Sequence, residues 1–214
     1  MEIKFINSKN LINYDEALNF MEDKVLEISQ NKGNELVWLL EHETVFTAGR
    51  SFKNEDILNP NLKVFYSNRG GKITLHSPGQ KVCYIMLNLK KRANGKIPDP
   101  KKFVHILEEI IISTLAYFNI KGEVRKDRIG VWVINKHGIE QKIAAIGVRF
   151  TKGVTMHGFA INVNNDLKLF QSFVPCGIKN YGVCSLDSLG KKITMEEFDK
   201  ILIENLKKYL TNYY

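Results

Sequence analysis

The sequence predicts an α+β fold, a mainly antiparallel sheet covered by three long helices. Two observations carry that prediction. Three stretches show an apolar 3.6-residue period behind a helix-capping signal, and the region between the second and third is a series of β-prone runs split by short glycine turns. Size agrees. At 214 residues, 44% apolar and 25% charged, the chain can bury one sizeable core, so residues 1–214 are expected to form a single domain.

In chain order, residues 2–7 read as a strand. Asn13, with Glu16 three residues on, caps a helix whose apolar stripe is Tyr14, Ala17, Met21, Val25 and Ile28, and which stops near Gly33. Residues 36–40 form an unbroken apolar run, the mark of a buried strand. Runs 72–76 and 82–89 flank Ser77-Pro78-Gly79-Gln80 and read as a hairpin. Asp99-Pro100 starts the second helix, since proline at the first helical position forfeits no hydrogen bond; Phe103, Leu107, Ile110, Ile111 and Leu115 are its buried face. Runs 130–135, 140–150 and 154–163, separated by Lys136-His137-Gly138 and Thr151-Lys152-Gly153, predict an antiparallel meander. Thr194 and Glu197 form a capping box for the last helix, with Ile193 and Phe198 as a hydrophobic staple and Ile201, Leu202 and Tyr209 continuing the face.

Composition excludes several classes. The three cysteines, Cys83, Cys176 and Cys184, give no Cys-x-x-Cys pair, no zinc spacing and no disulfide framework, which suits free thiols in a reducing compartment. The N-terminal residues lack a basic leader or an apolar run of signal length, and no stretch approaches the ~20 apolar residues of a membrane span. A cytoplasmic protein without membrane association is expected. The net charge of +8 favours acidic partners, but the lysines are scattered and no RNA-binding or helix-turn-helix signature is present, so nucleic acid is not expected. No repeat, low-complexity tract or linker interrupts the chain.

Four segments carry chemistry. In Val174-Pro175-Cys176-Gly177-Ile178, proline and glycine can aim a thiol out of regular structure; a lone cysteine is otherwise a small buried hydrophobe. Arg69-Gly70-Gly71-Lys72-Ile73-Thr74-Leu75-His76 joins a double glycine to a strand ending in histidine. Its bare backbone suits a ligand carbonyl or phosphate, or simply a tight turn. Lys142 alternates with Ala144, Ile146 and Val148, so it either snorkels to water or holds its ammonium near an anion; beside Cys176 it would favour the thiolate. Met156-His157-Gly158-Phe159-Ala160 places small residues on a strand, leaving room for a long apolar ligand or another backbone, while His157 alone reads as a satisfied core or turn histidine.

Together these segments resemble the lipoyl(octanoyl) transferases. The resemblance rests on Arg69-Gly70-Gly71 through His76 and Pro78-Gly79-Gln80, on Gly130-Val131-Trp132-Val133, and on Lys142-Ile143-Ala144-Ala145-Ile146-Gly147. It continues through Met156-His157-Gly158-Phe159-Ala160-Ile161-Asn162-Val163, Pro175-Cys176-Gly177 and Gly182-Val183-Cys184-Ser185-Leu186, with Glu41-His42 and Thr47-Ala48-Gly49-Arg50 fitting the first motif. Three residues depart from the family pattern: Ser77 replaces a glycine, Leu75 an aromatic and Cys184 a threonine, the last adding a second thiol near the site.

The resemblance implies a fold like the catalytic core of biotin and lipoate protein ligases and an acyltransferase needing no cofactor or metal. It makes octanoyl-acyl carrier protein the donor. The acceptors are apo lipoyl domains of 2-oxoacid dehydrogenase complexes and the glycine cleavage H protein. It assigns Cys176 as the nucleophile that carries the acyl group as a thioester, and Lys142 as its proton partner. The acyl site falls to residues 69–76, to Ala145, Ile146 and Gly147, and to Gly158, Phe159 and Ala160. An ATP-dependent ligase, or a binding module on the same scaffold, are the alternatives; neither uses a nucleophilic cysteine.

Overall fold

The structure, a computed structural model, describes residues 2–96, 98–173 and 181–211. Strand β1 (Ile3–Ile12) continues beyond the expected end at Asn7 and pairs in parallel with β2 (Glu35–His42), with a register shift between Asn7 and Leu11. Parallel neighbours need a crossover, which α1 (Tyr14–Ser29) supplies. Asn13 caps α1 by accepting a hydrogen bond from the Asp15 amide at 2.9 Å, and the buried stripe is the expected one. Asn31, at φ 58°, turns the chain out of the helix before Gly33 is reached.

Short strands β3 (Val45–Ala48), β4 (Val64–Tyr66) and β5 (Ile73–His76) form a separate sheet in the order β4-β3-β5. The main sheet adds β6 (Gln80–Met86), β7 (Glu123–Arg125), β8 (Arg128–Ile134), β9 (Glu140–Thr151), β10 (Val154–Asn162) and β11 (Gly182–Val183). Its order is β1-β2-β6-β10-β9-β8-β7, with β11 beside β9. The meander β8-β9-β10 is antiparallel throughout, as its short turns require.

The hairpin expected around Ser77-Pro78-Gly79-Gln80 does not form. β5 pairs with β3, whereas β6 lies between β2 and β10 in the main sheet. The reason lies in β6, which is buried at every position and so belongs in the middle of a sheet, where both edges are taken. Gly79, at φ 84°, makes the turn between the sheets, and the Glu41 carboxylate accepts its amide proton at 2.8 Å. A Cβ there would stand 2.4 Å from Asn164 Oδ1, so only glycine fits.

Helices cover both faces of the main sheet. On one side α1 packs Ala17, Met21, Val25 and Ile28 against Trp38, Val82 and Met156. On the other lie α3 (Pro100–Tyr117) and α4 (Met195–Leu210), which bury Phe103, Leu107, Ile111, Phe198, Leu202 and Leu206 over Val37, Ile85 and Ile161. Asp99 caps α3, and the Thr194–Glu197 capping box opens α4 as expected. Two buried ion pairs tie the outer elements to the sheet. Lys81 of β6, 1% exposed, meets Asp199 of α4 at 2.9 Å; Arg92, ending the short helix α2 (Leu89–Arg92), grips Glu35 and donates to the Leu210 carbonyl at 2.9 Å. Each charge is compensated inside the protein, the condition for burying it without a large penalty.

Candidate active site

A cavity of about 410 Å3 opens between the middle of β9, the middle of β10, the small sheet and residues 69–72. The double glycine forms one wall because its bare backbone lies against β9. Gly70 donates its amide to the Val148 carbonyl at 3.1 Å, and a Cβ on Gly147 would approach the Gly70 carbonyl oxygen to 3.1 Å. Opposite, a Cβ on Gly158 would fall 2.1 Å from the Cys83 carbonyl oxygen, so β10 lies against β6 only with glycine here.

Most sequence-predicted residues meet on this cavity: Arg69, Gly70, Gly71, Lys72, Ile73, Thr74 and His76, then Lys142, Ala145, Ile146 and Gly147, then Gly158, Phe159 and Ala160. Leu75 does not line it. That side chain turns into a third core with Ile73, Phe170 and Phe173, under the small sheet. Arg69, assigned to the acyl site by the resemblance, spends much of its guanidinium on the protein: Nη2 donates to the Thr47 carbonyl at 2.5 Å and hydroxyl at 2.9 Å, and Nη1 to the Gly70 carbonyl at 3.0 Å. It pins the glycine loop to β3. Lys72 pairs with Asp56 at 3.4 Å.

Lys142 is 7% exposed, and its Nζ donates to the Ile129 carbonyl at 2.8 Å and sits 5.3 Å from the centre of the Trp132 ring. Its stem crosses Gly130, whose φ of 117° and missing side chain leave the space. Cys176 lies outside the described residues. Its flanks are described: Phe173, 1% exposed, bridges to Ile57, and Tyr181 packs on Trp132 at 5.5 Å before Gly182 and Val183 pair with Gln141 and Lys142. Cys184 donates its amide to the Lys142 carbonyl at 3.0 Å, but its thiol points into the core and burial pushes it up to about 12, so it stays protonated.

Three histidines and two tyrosines gather around one part of the cavity. His42 donates from Nδ1 to the Ile12 carbonyl and accepts the Tyr84 hydroxyl on Nε2, each at 2.7 Å; burial lowers its pKa to about 4 and keeps it neutral. His76 lies 5.5 Å from His42, stacked 6.1 Å from Tyr14. His157 is 1% exposed, has no hydrogen-bond partner on either ring nitrogen among the described residues, and holds a φ of 63° inside β10. Burial, then the Arg69 and Arg149 charges, lower its pKa to about 3. A bulky residue in the left-handed region costs about 1–3 kcal/mol, a strain that concentrates at ligand sites.

Sequence reasoning missed Tyr14, Val82, Tyr84, Val104 and residues 127–129, which also line the cavity. Tyr14 was legible only as the first member of a helix stripe, and Asp127-Arg128-Ile129 carried no pattern. Among the described residues, no helix is long and apolar enough to cross a membrane, and no three His, Cys, Asp or Glu side chains could hold a metal ion.

Residues 13–207 match the family described as the lipoyl protein ligase A/B catalytic domain. The octanoyltransferase of Wolbachia sp. subsp. Brugia malayi is 45% identical over 206 residues, spanning 96% of this chain and 98% of its own length. In fold, the chain is similar to a putative lipoate protein ligase of T. acidophilum with bound lipoic acid, at a TM-score of 0.74 and 14% identity over 99% of this chain and 87% of that one. A biotin protein ligase of Aquifex aeolicus in complex with biotin and ATP gives 0.58 and 14% over 98% and 71%. With a family match over nearly its whole length and close curated relatives, the chain belongs to the lipoyl protein ligase A/B catalytic-domain family and, within it, to the octanoyltransferases.

Proposed function

We propose that residues 1–214 act as one catalytic domain that moves an octanoyl group from octanoyl-acyl carrier protein to a lysine of an apo lipoyl domain, through a thioester on Cys176. The acceptors would be lipoyl domains of 2-oxoacid dehydrogenase complexes and the glycine cleavage H protein. In the first step the Cys176 thiolate attacks the donor's thioester carbonyl carbon. The tetrahedral adduct expels the carrier thiolate, which takes up a proton. In the second, the acceptor ε-amine attacks the enzyme thioester, the bond to Cys176 breaks, and the amine nitrogen gives up a proton as the amide forms.

Lys142 serves both steps, taking the Cys176 proton and returning it to the carrier thiol, then accepting the proton of the attacking amine. The observation that carries this reading is the seat of Lys142: a nearly buried amine on the cavity wall, anchored on the Ile129 carbonyl, in the strand that pairs with the chain leaving the Cys176 segment. The acyl chain is assigned to the space bounded by the glycines at 70, 71, 147 and 158, where bare backbone leaves width for methylenes.

Intact-protein mass spectrometry tests it, with octanoyl-acyl carrier protein and no ATP. One octanoyl adduct on the wild type, absent from Cys176→Ala and discharged by an apo lipoyl domain that becomes octanoylated, is the expected result. Absence of both adduct and octanoylated product overturns the reading.

A further inference from the structure

His76 faces the cavity at the end of a chain of buried amides whose direction is fixed by one backbone carbonyl. Asn162 Nδ2 lies 3.0 Å from the Cys184 carbonyl oxygen, which can only accept, so this end of Asn162 must be the amide NH2. Asn162 Oδ1 then accepts from Gln80 Nε2 at 2.9 Å, which leaves Gln80 Oε1, 2.8 Å from His76 Nδ1, as an acceptor. The proton in that last contact must belong to His76. All three side chains are at most 7% exposed, so water competes little for these bonds.

The turn at Ser77-Pro78-Gly79 makes the relay possible. Gln80 donates its amide to the Ser77 carbonyl at 3.0 Å, closing the turn so that the side chains of His76 and Gln80 meet across it. Burial, followed by the repulsion that His42 would add if both rings were protonated, holds the His76 pKa well below its usual value; the Gln80 hydrogen bond opposes the shift, and the Arg69 charge adds to it. A neutral imidazole with its proton on Nδ1 bears a lone pair on Nε2.

We propose that Gln80 and Asn162 are positioning residues that carry the polarity of the Cys184 carbonyl to His76, fix its proton on Nδ1, and present Nε2 to the cavity as the hydrogen-bond acceptor for the ε-amine of the acceptor lysine. This rests on the transfer reaction proposed above. Of the groups that reaction brings to the cavity, the octanoyl chain has no donor, the thioester carbonyl would set its own lone pairs against Nε2, and the carrier thiol, a weak donor, departs as the first step ends. The amine has N–H bonds to donate. One such bond to Nε2 orients the amine and leaves its lone pair available for attack on the thioester.

Nitrogen-15 NMR of the histidine rings in the full chain tests the relay, the His76 signals being identified by their loss in His76→Gln. The wild type is expected to show a protonated Nδ1 and an unprotonated Nε2 at His76. Gln80→Leu and Asn162→Leu should each erode that pattern. Transfer from preformed octanoyl-enzyme to saturating apo lipoyl domain should slow roughly tenfold or more, with the rate of Cys176 acylation within about twofold of wild type. An unprotonated Nδ1 in the wild type overturns the relay, and that spectrum needs no variant, so a variant that fails to fold leaves it decisive. Acylation slowed as much as transfer overturns the amine as the bound donor, as does a folded variant with wild-type transfer. A wild type that forms no octanoyl-enzyme overturns the reaction and the amine assignment together, while the ring spectrum still decides the relay.

Discussion

Lys142 lies across Gly130 so closely that a Cβ at Gly130 would stand 2.6 Å from Lys142 Cε and 3.1 Å from Nζ. The glycine is therefore part of the seat of the lysine. Its φ of 117° adds a backbone requirement that side-chain-bearing residues meet poorly.

Gly130→Ala should destabilise the fold by about 1–3 kcal/mol and push Lys142 off the Ile129 carbonyl. Denaturant unfolding reads the first effect and octanoyl transfer the second. A variant that loses stability yet transfers at the wild-type rate would show that the position of Lys142 does not matter.

Lys142→Arg keeps a positive charge but replaces an amine that can give up a proton with a guanidinium that does not. Turnover is expected to fall by roughly 10²–10⁴, the range for loss of a general acid–base group. Near-normal turnover would take Lys142 out of proton transfer and leave it a purely electrostatic role.

Acid should unfold this protein through its buried histidines. His42 and His157 have folded pKa values lowered to about 4 and about 3, against 6.5 when exposed, so below pH 6.5 the unfolded chain binds protons that the native state refuses. Stability is thus complete above pH 6.5 and declines as pH falls towards the folded values. The loss by pH 5 is about 2 kcal/mol for each histidine. Urea midpoints at pH 7 and pH 5 measure it, and His42→Gln should shrink the difference; an unchanged difference would assign the pH dependence to other groups.

Charge should govern encounter with the donor. A chain of net charge +8 is expected to react with an acidic carrier protein several-fold more slowly as ionic strength rises from about 0.05 to about 0.5 M. An uncharged octanoyl thioester used as donor should show no such fall. Parallel salt responses for both donors would locate the effect in the chemistry instead of the encounter.

Local signals in the sequence were reliable wherever neighbouring residues decide the outcome. Asn13, Asp99 and Thr194 begin their helices by accepting amide protons from the next turn, which short-range chemistry dictates. Ser77-Pro78-Gly79-Gln80 was legible as a turn but not as a turn between sheets, because strand partners are chosen by burial across the whole domain. The same limit hid the cavity's second half. Tyr14 occupies a helix stripe as any core residue would, and only the arrival of His42 and His76 beside it gives it a cavity to line. Lys142 was visible as an oddity on an apolar strand, yet its anchor is a backbone carbonyl, which no side-chain pattern announces.

The register shift in β1 bears on how copies of this chain meet one another. β1 is the long outer strand of the main sheet, and an unbroken row of ten residues there would offer a template for a second chain's backbone. The break between Asn7 and Leu11 divides that row, and the exposed Lys4 precedes it while the exposed Lys9 lies within it, so an identical chain approaching edge to edge brings like charge against a ragged margin. At the opposite border, β7 is only three residues long. The sheet thus ends on each side in a form that resists its own further growth.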